Sequence, residues 1–282
     1  PITSQVKSNN NYYDILLFWK ERMHKLKSPS PVGTLSLVQT ITQGGIVTSA
    51  DYLEVIPNNP VLPNFYQKVK KEYYPYFSLS RADQSYAIAQ LRQEGRKQDF
   101  RYRGITGHLQ GKGMMGYHQS ARSSWYADGF ENTKIWSGVE IDPLFDGAPV
   151  KEWSIRTNNE SNIFPTDISE NNSLLLSFKS TVYEVYKLLN GQVTNTPVSD
   201  ADKSKIVTAT VPKSTKTKDF LTGAIASSSI IYGDYYLPKQ TVTNVNNGYA
   251  VTTSDFEYIH NISAAGSDYF AGRPKSKTET LQ

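Results

Sequence analysis

Apolar and polar residues follow two different periods along this chain. The segments 12–27, 64–74, 80–92 and 172–189 place apolar side chains three and four positions apart, which predicts four helices. Most other apolar residues alternate with polar ones, as in strands that bury one face. Segments predicted as strands on this basis are 33–48, 51–56, 100–103, 139–142, 151–156, 205–211, 232–237 and 256–262. Residues 220–231 fit either a short helix or a buried strand.

One turn signal is more specific than the rest. Asn246, Asn247 and Gly248 lie within the alternating segment 241–253, and these residue types accept the left-handed backbone that a tight β-turn requires. A β-hairpin is therefore predicted there. Taken together, the patterns predict a β-dominated α+β fold, with antiparallel sheets arranged as a sandwich or jelly roll and three to four peripheral helices.

Changes in composition, together with glycine, proline and polar stretches, divide the chain into five segments. Residues 1–30 form an N-terminal arm and helix, 31–190 a main β-rich domain, 191–204 a polar linker, 205–270 a strand-rich part of the same or a second small domain, and 271–282 a C-terminal tail. A length of 282 residues suits one large domain or two smaller ones. Residues 1–11 and 271–282 offer little for a core to bury, and such segments fray unless a neighbour holds them.

The amino-acid composition excludes several classes of site. No cysteine is present, which rules out disulfides, a thiolate nucleophile and cysteine-ligated metals. The net charge of +4, from 30 Lys and Arg against 26 Asp and Glu, is too small to identify nucleic acid as a partner. No signal peptide is seen, and no apolar run approaches the ~18 residues of a transmembrane segment. The 19 tyrosines suit half-buried sheet faces and interfaces equally well.

The stretch 95–146 concentrates the candidate chemistry. Its first part is basic and rich in glycine, aromatic residues follow, and it ends in an acidic strand. Lysine and arginine neutralise phosphates and aromatic rings stack on unpaired bases, so the stretch is a candidate surface for nucleic acid. The candidate nucleic-acid-binding residues are Arg96, Lys97, Arg101, Arg103, Lys112 and Arg122. An ordinary solvated basic edge of a sheet has the same pattern.

A pair of carboxylates provides the enzyme alternative. Glu140 and Asp142 are two positions apart on a predicted strand, so both point to one face and could hold Mg²⁺ for a nuclease, with Lys112 assisting. A phosphate-binding loop is excluded, because only three residues separate Gly107 from Gly111 and a glycine follows Lys112. No motif for zinc or for a serine hydrolase is present, so no metal, cofactor or catalytic residue is predicted outside the nuclease alternative.

The lack of a complete catalytic signature favours a structural protein. Polar chain ends and abundant Asn, Ser, Thr and Tyr on a strand-rich pattern predict a structural assembly subunit, a viral or bacteriophage capsid-type protein that self-associates through its tails and edge strands. Its partners would be copies of itself or other particle subunits, with nucleic acid contacting residues 96–122. Its predicted location is the virion or the cytoplasm. The alternative is the Mg-dependent nuclease; further alternatives are a glycan-binding module using Trp125 or Tyr126 and a β-pore-forming protein.

Overall fold

A computed structural model gives the fold of the chain. It describes residues 2–7, 13–19, 22–26, 37–69, 76–80, 82–109, 113–189, 192–193, 199, 201–202 and 205–282. The chain divides into two compact units, residues 1–47 and residues 48–282. All the candidate site residues that the structure describes belong to the second unit.

The first unit contains a small antiparallel sheet of three strands in the order β1-β2-β3. The strands are β1 (Ile2–Lys7), β2 (Tyr13–Trp19) and β3 (Arg22–Leu26), and β4 (Thr40–Gln43) follows in the chain. The helix predicted at residues 12–27 is therefore wrong, since Ile15 pairs with Leu26 across β2 and β3. β2 has the sequence YDILLFW, a nearly continuous run of aromatic and large aliphatic residues, and such a run favours a strand.

The remaining strands belong to one long sheet that is antiparallel almost throughout. They are β5 (Ile46–Val55), β6 (Tyr66–Gln67), β7 (Tyr76–Leu79), β8 (Ala82–Gln93), β9 (Arg96–His108), β10 (Gly113–Ser123), β11 (Ile135–Asp142), β12 (Ala148–Arg156), β13 (Leu175–Leu189), β14 (Gln192–Val193), β15 (Ile206–Asp219), β16 (Ile225–Tyr232), β17 (Pro238–Val245), β18 (Ala250–Asn261) and β19 (Phe270–Leu281).

The sheet is a meander, in which most strands pair with their neighbours in sequence. From β5 the order is β5-β8-β9-β10-β11-β12-β13-β15-β16-β17-β18-β19. Three short strands lie off this path: β6 and β7 pair with β9, and β14 pairs with β13. The pairing of β6 with β9 is the parallel one. Because successive strands are adjacent, the stretch 95–146 occupies three neighbouring strands, β9, β10 and β11.

The predicted α+β class is wrong. Strands account for 64% of the residues and helices for 7%, and no described helix reaches seven residues. The described strands of the second unit also form one continuous sheet instead of the two packed sheets of a sandwich or jelly roll. The β-rich character is confirmed. Among the described residues, no helix has the length and apolar character needed to span a membrane.

The helix predicted at 172–189 is strand β13, and a β-bulge explains the false period. Ile155 pairs with Leu175 but Ser154 pairs with Ser177, so one extra residue of β13 interrupts the ladder. The extra residue turns Leu175 and Phe178 toward the same side, and both are buried in one cluster. A spacing of three between buried residues, which usually indicates a helix, arises here within a strand.

The helix predicted at 80–92 is strand β8. Its alanines, leucine and glutamines are good helix formers, but Ala87, Ala89 and Leu91 also alternate as a strand requires. β8 pairs with β5 on one side and with β9 on the other, and this pairing overrides the local preference. Of the helix predicted at 64–74, residues 70–74 lie outside the described residues, and the described part includes β6.

Two covering segments create the core of the second unit. Residues 56–69 cover one cluster, which contains Val55, Phe65, Tyr66, Ala89 and Ile105. Residues 157–174 cover the other, which contains Ala121, Trp136, Trp153, Ile155, Ile163, Phe164, Ile168, Leu175 and Phe178. Both clusters lie against strands β5 to β13, so the buried apolar surface is confined to the first part of the long sheet.

Trp153 illustrates how closely the second cluster packs. Its indole lies directly over Gly138 of the neighbouring strand, where a Cβ atom would be 2.1 Å from the ring. Its Nε1 donates to the carbonyl oxygen of Ile163 at 3.1 Å, which ties the covering segment to the sheet. Gly138 is therefore needed because the tryptophan occupies the space of a side chain.

The predicted hairpin at residues 241–253 is confirmed. Strands β17 and β18 pair antiparallel around it, with Val245 opposite Ala250. The φ angles of Asn246, Asn247 and Gly248 are 48°, 57° and 100°, in the left-handed region that the sequence signal required. Most of the predicted linker at 191–204 lies outside the described residues. The predicted C-terminal tail, residues 271–282, comprises all of β19 except its first residue, together with Gln282.

Candidate functional site

Two of the predicted cations, Arg101 and Arg103, are held by groups of their own chain. Arg101 donates from Nε and Nη2 to the two carboxylate oxygens of Glu160, at 2.8 and 2.6 Å. Arg103 Nε donates to Oε1 of Gln67 at 2.7 Å, and its guanidinium carbon lies 4.5 Å from the ring centre of Phe164. Burial lowers the pKa of Arg103. Both arginines thus join the sheet to the segments that cover it.

The cations at the β8–β9 turn have different surroundings. The guanidinium carbon of Arg96 lies 5.1 Å from the ring centre of Trp125, within the range of a cation–π contact. Lys97 forms an ion pair with Asp128, and this hydrogen-bonded pairing raises the pKa of Lys97. Such surface pairs contribute little to stability, at most about 1 kcal/mol.

Arg122 is exposed on β10, and Lys112 lies outside the described residues. The five candidate cations that the structure describes therefore have three kinds of environment: two are tied to the covering segments, two lie at a turn and one is exposed on a strand. The structure brings Arg101 and Arg103 together on β9 and Arg96 and Lys97 at its start. Contact with nucleic acid through this stretch stays a prediction.

A buried ionic cluster centred on Asp99 was not predicted from the sequence. Its Oδ2 accepts hydrogen bonds from Tyr126 Oη at 2.8 Å and from Lys134 Nζ at 3.2 Å. Its Oδ1 accepts from Gln90 Nε2 at 2.7 Å. The side chains of Lys134 and Asp99 are 10% and 8% exposed, so this is an ion pair removed from water. It joins strands β8 and β9 to the residues just before β11.

The charge of Asp99 is maintained by its partners. Burial alone raises the pKa of Asp99, but hydrogen bonds from Gln90 and Tyr126 and the charges of Lys134 and Arg101 outweigh it, so the pKa is lower than usual. Burial and the bond to Asp99 raise the pKa of Tyr126. The carboxylate of Asp99 is thus held by three partners of its own chain, an arrangement typical of a structural network.

The acidic pair Glu140 and Asp142 lies at the end of β11, as the sequence predicted. Oε2 of Glu140 accepts a hydrogen bond from Gln119 Nε2 at 2.7 Å. Oδ1 of Asp142 accepts from the backbone N–H of Leu144 at 2.9 Å and so caps the turn Pro143–Phe145. Both carboxylates thus have a role in holding the chain, and within the described ranges no group of three His, Asp or Glu side chains is placed to hold a metal ion.

A second part of the molecule has no core at all. From Val182 onward, Ser254 is the only described side chain that is buried, and no described apolar side chain there is buried. We call the described residues from Val182 to Gln282 the uncovered region. It contains β15, β16, β17, β18, β19 and the end of β13, and neither buried cluster extends over these strands. The segment 157–174 reaches only the end of β15 among them, where Glu170 contacts Lys216 and Lys218.

A row of hydroxyl-bearing residues begins at Thr181, next to the uncovered region, and continues across four of its strands. The register places Thr181, Thr215, Ser228, Thr243 and Thr252 opposite one another on five adjacent strands. The hydroxyls of Thr215 and Ser228 are hydrogen-bonded at 2.7 Å. Hydroxyl pairs of this kind stabilise neighbouring strands without a hydrophobic core. The sheet is therefore adapted to remaining ordered while most of its surface is polar.

The ends of β13 and β15 extend beyond their neighbours as a two-stranded arm. β12 pairs with β13 only as far as Ser180, and β16 pairs with β15 only from Ser214 onward. The arm continues from there to the pair Leu189 and Ile206. Val207 in the arm is 62% exposed, and an isolated two-stranded ribbon is at best marginally stable in water. The arm thus presents exposed apolar groups such as Val207, although β14 pairs with its end at Leu188 and Leu189 and the ring centre of Tyr236 lies 4.9 Å from that of Tyr186.

Comparison with known proteins shows similarity at a distant level. No protein-family model matches the chain, and no curated protein matches it. Among solved structures, the chain is similar to one entitled "Crystal Structure of TcdB2-TccC3-Cdc42", with 10% sequence identity and a TM-score of 0.48. The similarity covers 70% of this chain but only 13% of the length of the matching chain in that structure. At this level the similarity supports no conclusion about function.

Proposed function

We propose that the chain is a structural assembly subunit whose sheet associates with other subunits through its uncovered region. The observation that supports this is the absence of any buried apolar side chain among the described residues from Val182 onward. Those residues nevertheless include apolar strand positions, among them Val207 and Ile231, which are 62% and 54% exposed. Burying them against a partner would gain roughly 25 cal/mol for each Å² removed from water.

The chemistry of the described residues fits a structural role better than catalysis. Buried charges such as Asp99 and Arg101 are matched by partners within the chain. Glu140 and Asp142 are engaged in holding the sheet and a turn. The large number of hydroxyl and tyrosine side chains supplies polar contacts that tolerate both water and a partner surface. Nothing in this arrangement favours the nuclease alternative, which stays a prediction from the sequence.

The proposal is broader than the one the sequence suggests. A viral or bacteriophage particle is one setting for such a subunit, and it stays a prediction from the polar chain ends, the composition, the strand-rich pattern and the lack of a catalytic signature in the sequence. The glycan-binding alternative depended on Trp125 or Tyr126. Tyr126 is buried, with its hydroxyl on Asp99, while Trp125 is half-buried beside Arg96.

The mass of the protein in solution tests the proposed assembly. Light scattering on the purified chain over a range of concentrations should give a mass of several subunits, well above the 31.7 kDa of one chain. Nuclease treatment should leave that mass unchanged, because the contacts proposed are between proteins. A constant mass of one chain at every concentration would contradict the proposal.

A further inference from the structure

The last strand of the sheet, β19, has one partner and one open edge. It pairs with β18 along its length, and no other described strand pairs with it. The backbone N–H and C=O of Gln282 both bond to Val251, at 2.9 Å each. Since backbone groups alternate in direction along a strand, those of Thr280 and Thr278 also point to β18. Those of Lys277, Glu279 and Leu281 point outward, to the open edge.

Only the second half of this edge is suited to pairing. In the first half, Lys275 and one residue of the pair Ala271 and Gly272 are extra residues that interrupt the register with β18. Pro274 lies between them and has no N–H group to donate. Bulges, proline and lysine on an edge strand are features that prevent further strands from adding. From Ser276 to Leu281 the pairing is regular, so an added strand is restricted to this stretch.

The charges of the regular stretch match a second copy of the same strand in one register. Two copies paired antiparallel about Thr278 place Lys277 opposite Glu279 of the other copy, twice. The same register places the outward backbone groups of Lys277 and Glu279 opposite each other, which allows four hydrogen bonds. Pairing about Ser276 would place Lys275 opposite Lys277, and pairing about Glu279 would place two glutamates together. Of these three registers, only the one about Thr278 both pairs opposite charges and aligns the outward backbone groups for hydrogen bonding.

The side chains involved are accessible for this contact. Lys277 and Glu279 lie on the same side of β19, 2.6 Å apart, and are 51% and 57% exposed. In the joint, the one exposed pair within each copy is therefore exchanged, so that two pairs within chains become two pairs between chains. Thr278 and its neighbours Ser276 and Thr280 are exposed on the other side of the strand. Hydroxyl residues would face each other there, a pairing that stabilises antiparallel strands.

We propose that two copies of the chain join edge to edge through residues 276–280 of β19, in antiparallel register about Thr278. This inference rests on the proposed assembly and names one of its contacts. The joint extends the sheet of one copy into that of the other around a two-fold axis. It covers the open edge, whereas the faces of the uncovered region remain available to other subunits.

A single engineered cysteine tests the register, because the natural chain has none. In the proposed joint the two Thr278 residues face each other at about 4.5–5.5 Å between Cα atoms, a distance that a disulfide spans. Thr278→Cys should therefore give about tenfold more disulfide-linked dimer under mild oxidation than the matched variant Ser276→Cys, whose two copies lie roughly 14 Å apart. A mixture of Ser276→Cys and Thr280→Cys should cross-link as heterodimers.

Charge reversal provides an independent test. Lys277→Glu alone and Glu279→Lys alone each place like charges opposite each other and should weaken dimer formation by about tenfold. Mixing these two variants pairs opposite charges again and should restore it. Lys239→Glu, an exposed lysine on β17, is the matched control and should have no effect.

The outcomes separate this inference from the proposed assembly. Equal cross-linking of Thr278→Cys and Ser276→Cys, or failure of the mixed charge variants to associate, would overturn the edge joint. If the unmodified chain still has the mass of several subunits in that case, the assembly itself stands and uses other surfaces. If the unmodified chain has the mass of one subunit throughout, both proposals fail.

Discussion

Replacing Asp99 with Asn is expected to lower the free energy of unfolding by about 3–5 kcal/mol. The substitution keeps the size of the side chain but removes the negative charge that faces Lys134. The lysine ammonium would then remain buried without a counter-ion, which is the costly situation for an ion pair removed from water. Urea denaturation of both proteins, followed by tryptophan fluorescence, measures the difference.

Two further variants show that the effect comes from the unpaired charge. The double variant Asp99→Asn with Lys134→Met removes both charges and should recover part of the loss. Glu152→Gln breaks an exposed pair with Lys179, whose side chain is 43% exposed, and should cost less than about 1 kcal/mol. Equal losses for Asp99→Asn and Glu152→Gln would contradict the role assigned to the cluster.

The stabilisation by Asp99 also depends on pH. Its partners lower its pKa in the folded protein, whereas the unfolded chain has the ordinary value of about 3.9. The contribution of the charged form is therefore complete above the unfolded pKa and is lost as the pH falls through the lower folded pKa. The stability difference between the natural protein and Asp99→Asn should accordingly shrink below about pH 4.

Trp136→Ala is expected to have an effect of similar size, a loss of about 3–5 kcal/mol. The indole is 0% exposed, and its Nε1 donates to the carbonyl oxygen of Thr157 at 3.1 Å. Removing it leaves a cavity beside two buried cations, since Lys134 Nζ and the guanidinium carbon of Arg101 lie 5.5 and 5.3 Å from the ring centre. Thermal and urea unfolding of the variant measure the loss.

The neighbouring residue supplies the matched control for this prediction. Ile135 is on the same strand but points to the other face, where it is 37% exposed. Ile135→Ala should therefore cost far less than Trp136→Ala. Trp136→Phe retains most of the ring contacts but loses the N–H group, so it should fall between the two. A loss of under about 1 kcal/mol for Trp136→Ala would show that the second cluster is not the core of the unit.

Several strands and the hairpin could be predicted from the sequence because their signals are local. The strand predicted at 232–237 is wrong, since β16 ends at Tyr232 and Asp234–Tyr236 form a short 3-10 helix. Residues 139–142 and 151–156, which were predicted as strands from their alternation, are parts of β11 and β12. The Asn-Asn-Gly turn required left-handed backbone and has it. The helix predictions failed where a local signal was ambiguous. In β13 a bulge moved Leu175 and Phe178 to the same side, and no sequence period records where a bulge occurs.

The ionic cluster could not be predicted, because its members are distant in sequence. Asp99 and Lys134 are 35 residues apart, and they meet only because β9, β10 and β11 lie side by side. Arg101 and Glu160 are 59 residues apart and depend on the path of a covering segment. Asp99, Arg101 and Arg103 occupy alternate positions of β9, so an acidic residue shares one side of the strand with two arginines. This pattern was the one feature of the sequence that indicated buried ion pairs. Exposure, which decides whether a cation can meet a phosphate, is set by these distant contacts.

The meander has a consequence for how stability is distributed along the chain. A strand in such a sheet is held mainly by its neighbours in sequence, so the cost of freeing it depends on what covers it. β9 to β12 are anchored by two apolar clusters, whereas β19 is held by one ladder of hydrogen bonds and no buried apolar group. Outside the two-stranded arm, amide protons in the strands from β12 to β19 should therefore exchange with solvent fastest in β19 and progressively more slowly toward β12. A partner strand on the open edge would slow exchange first in the strand that is otherwise the least protected.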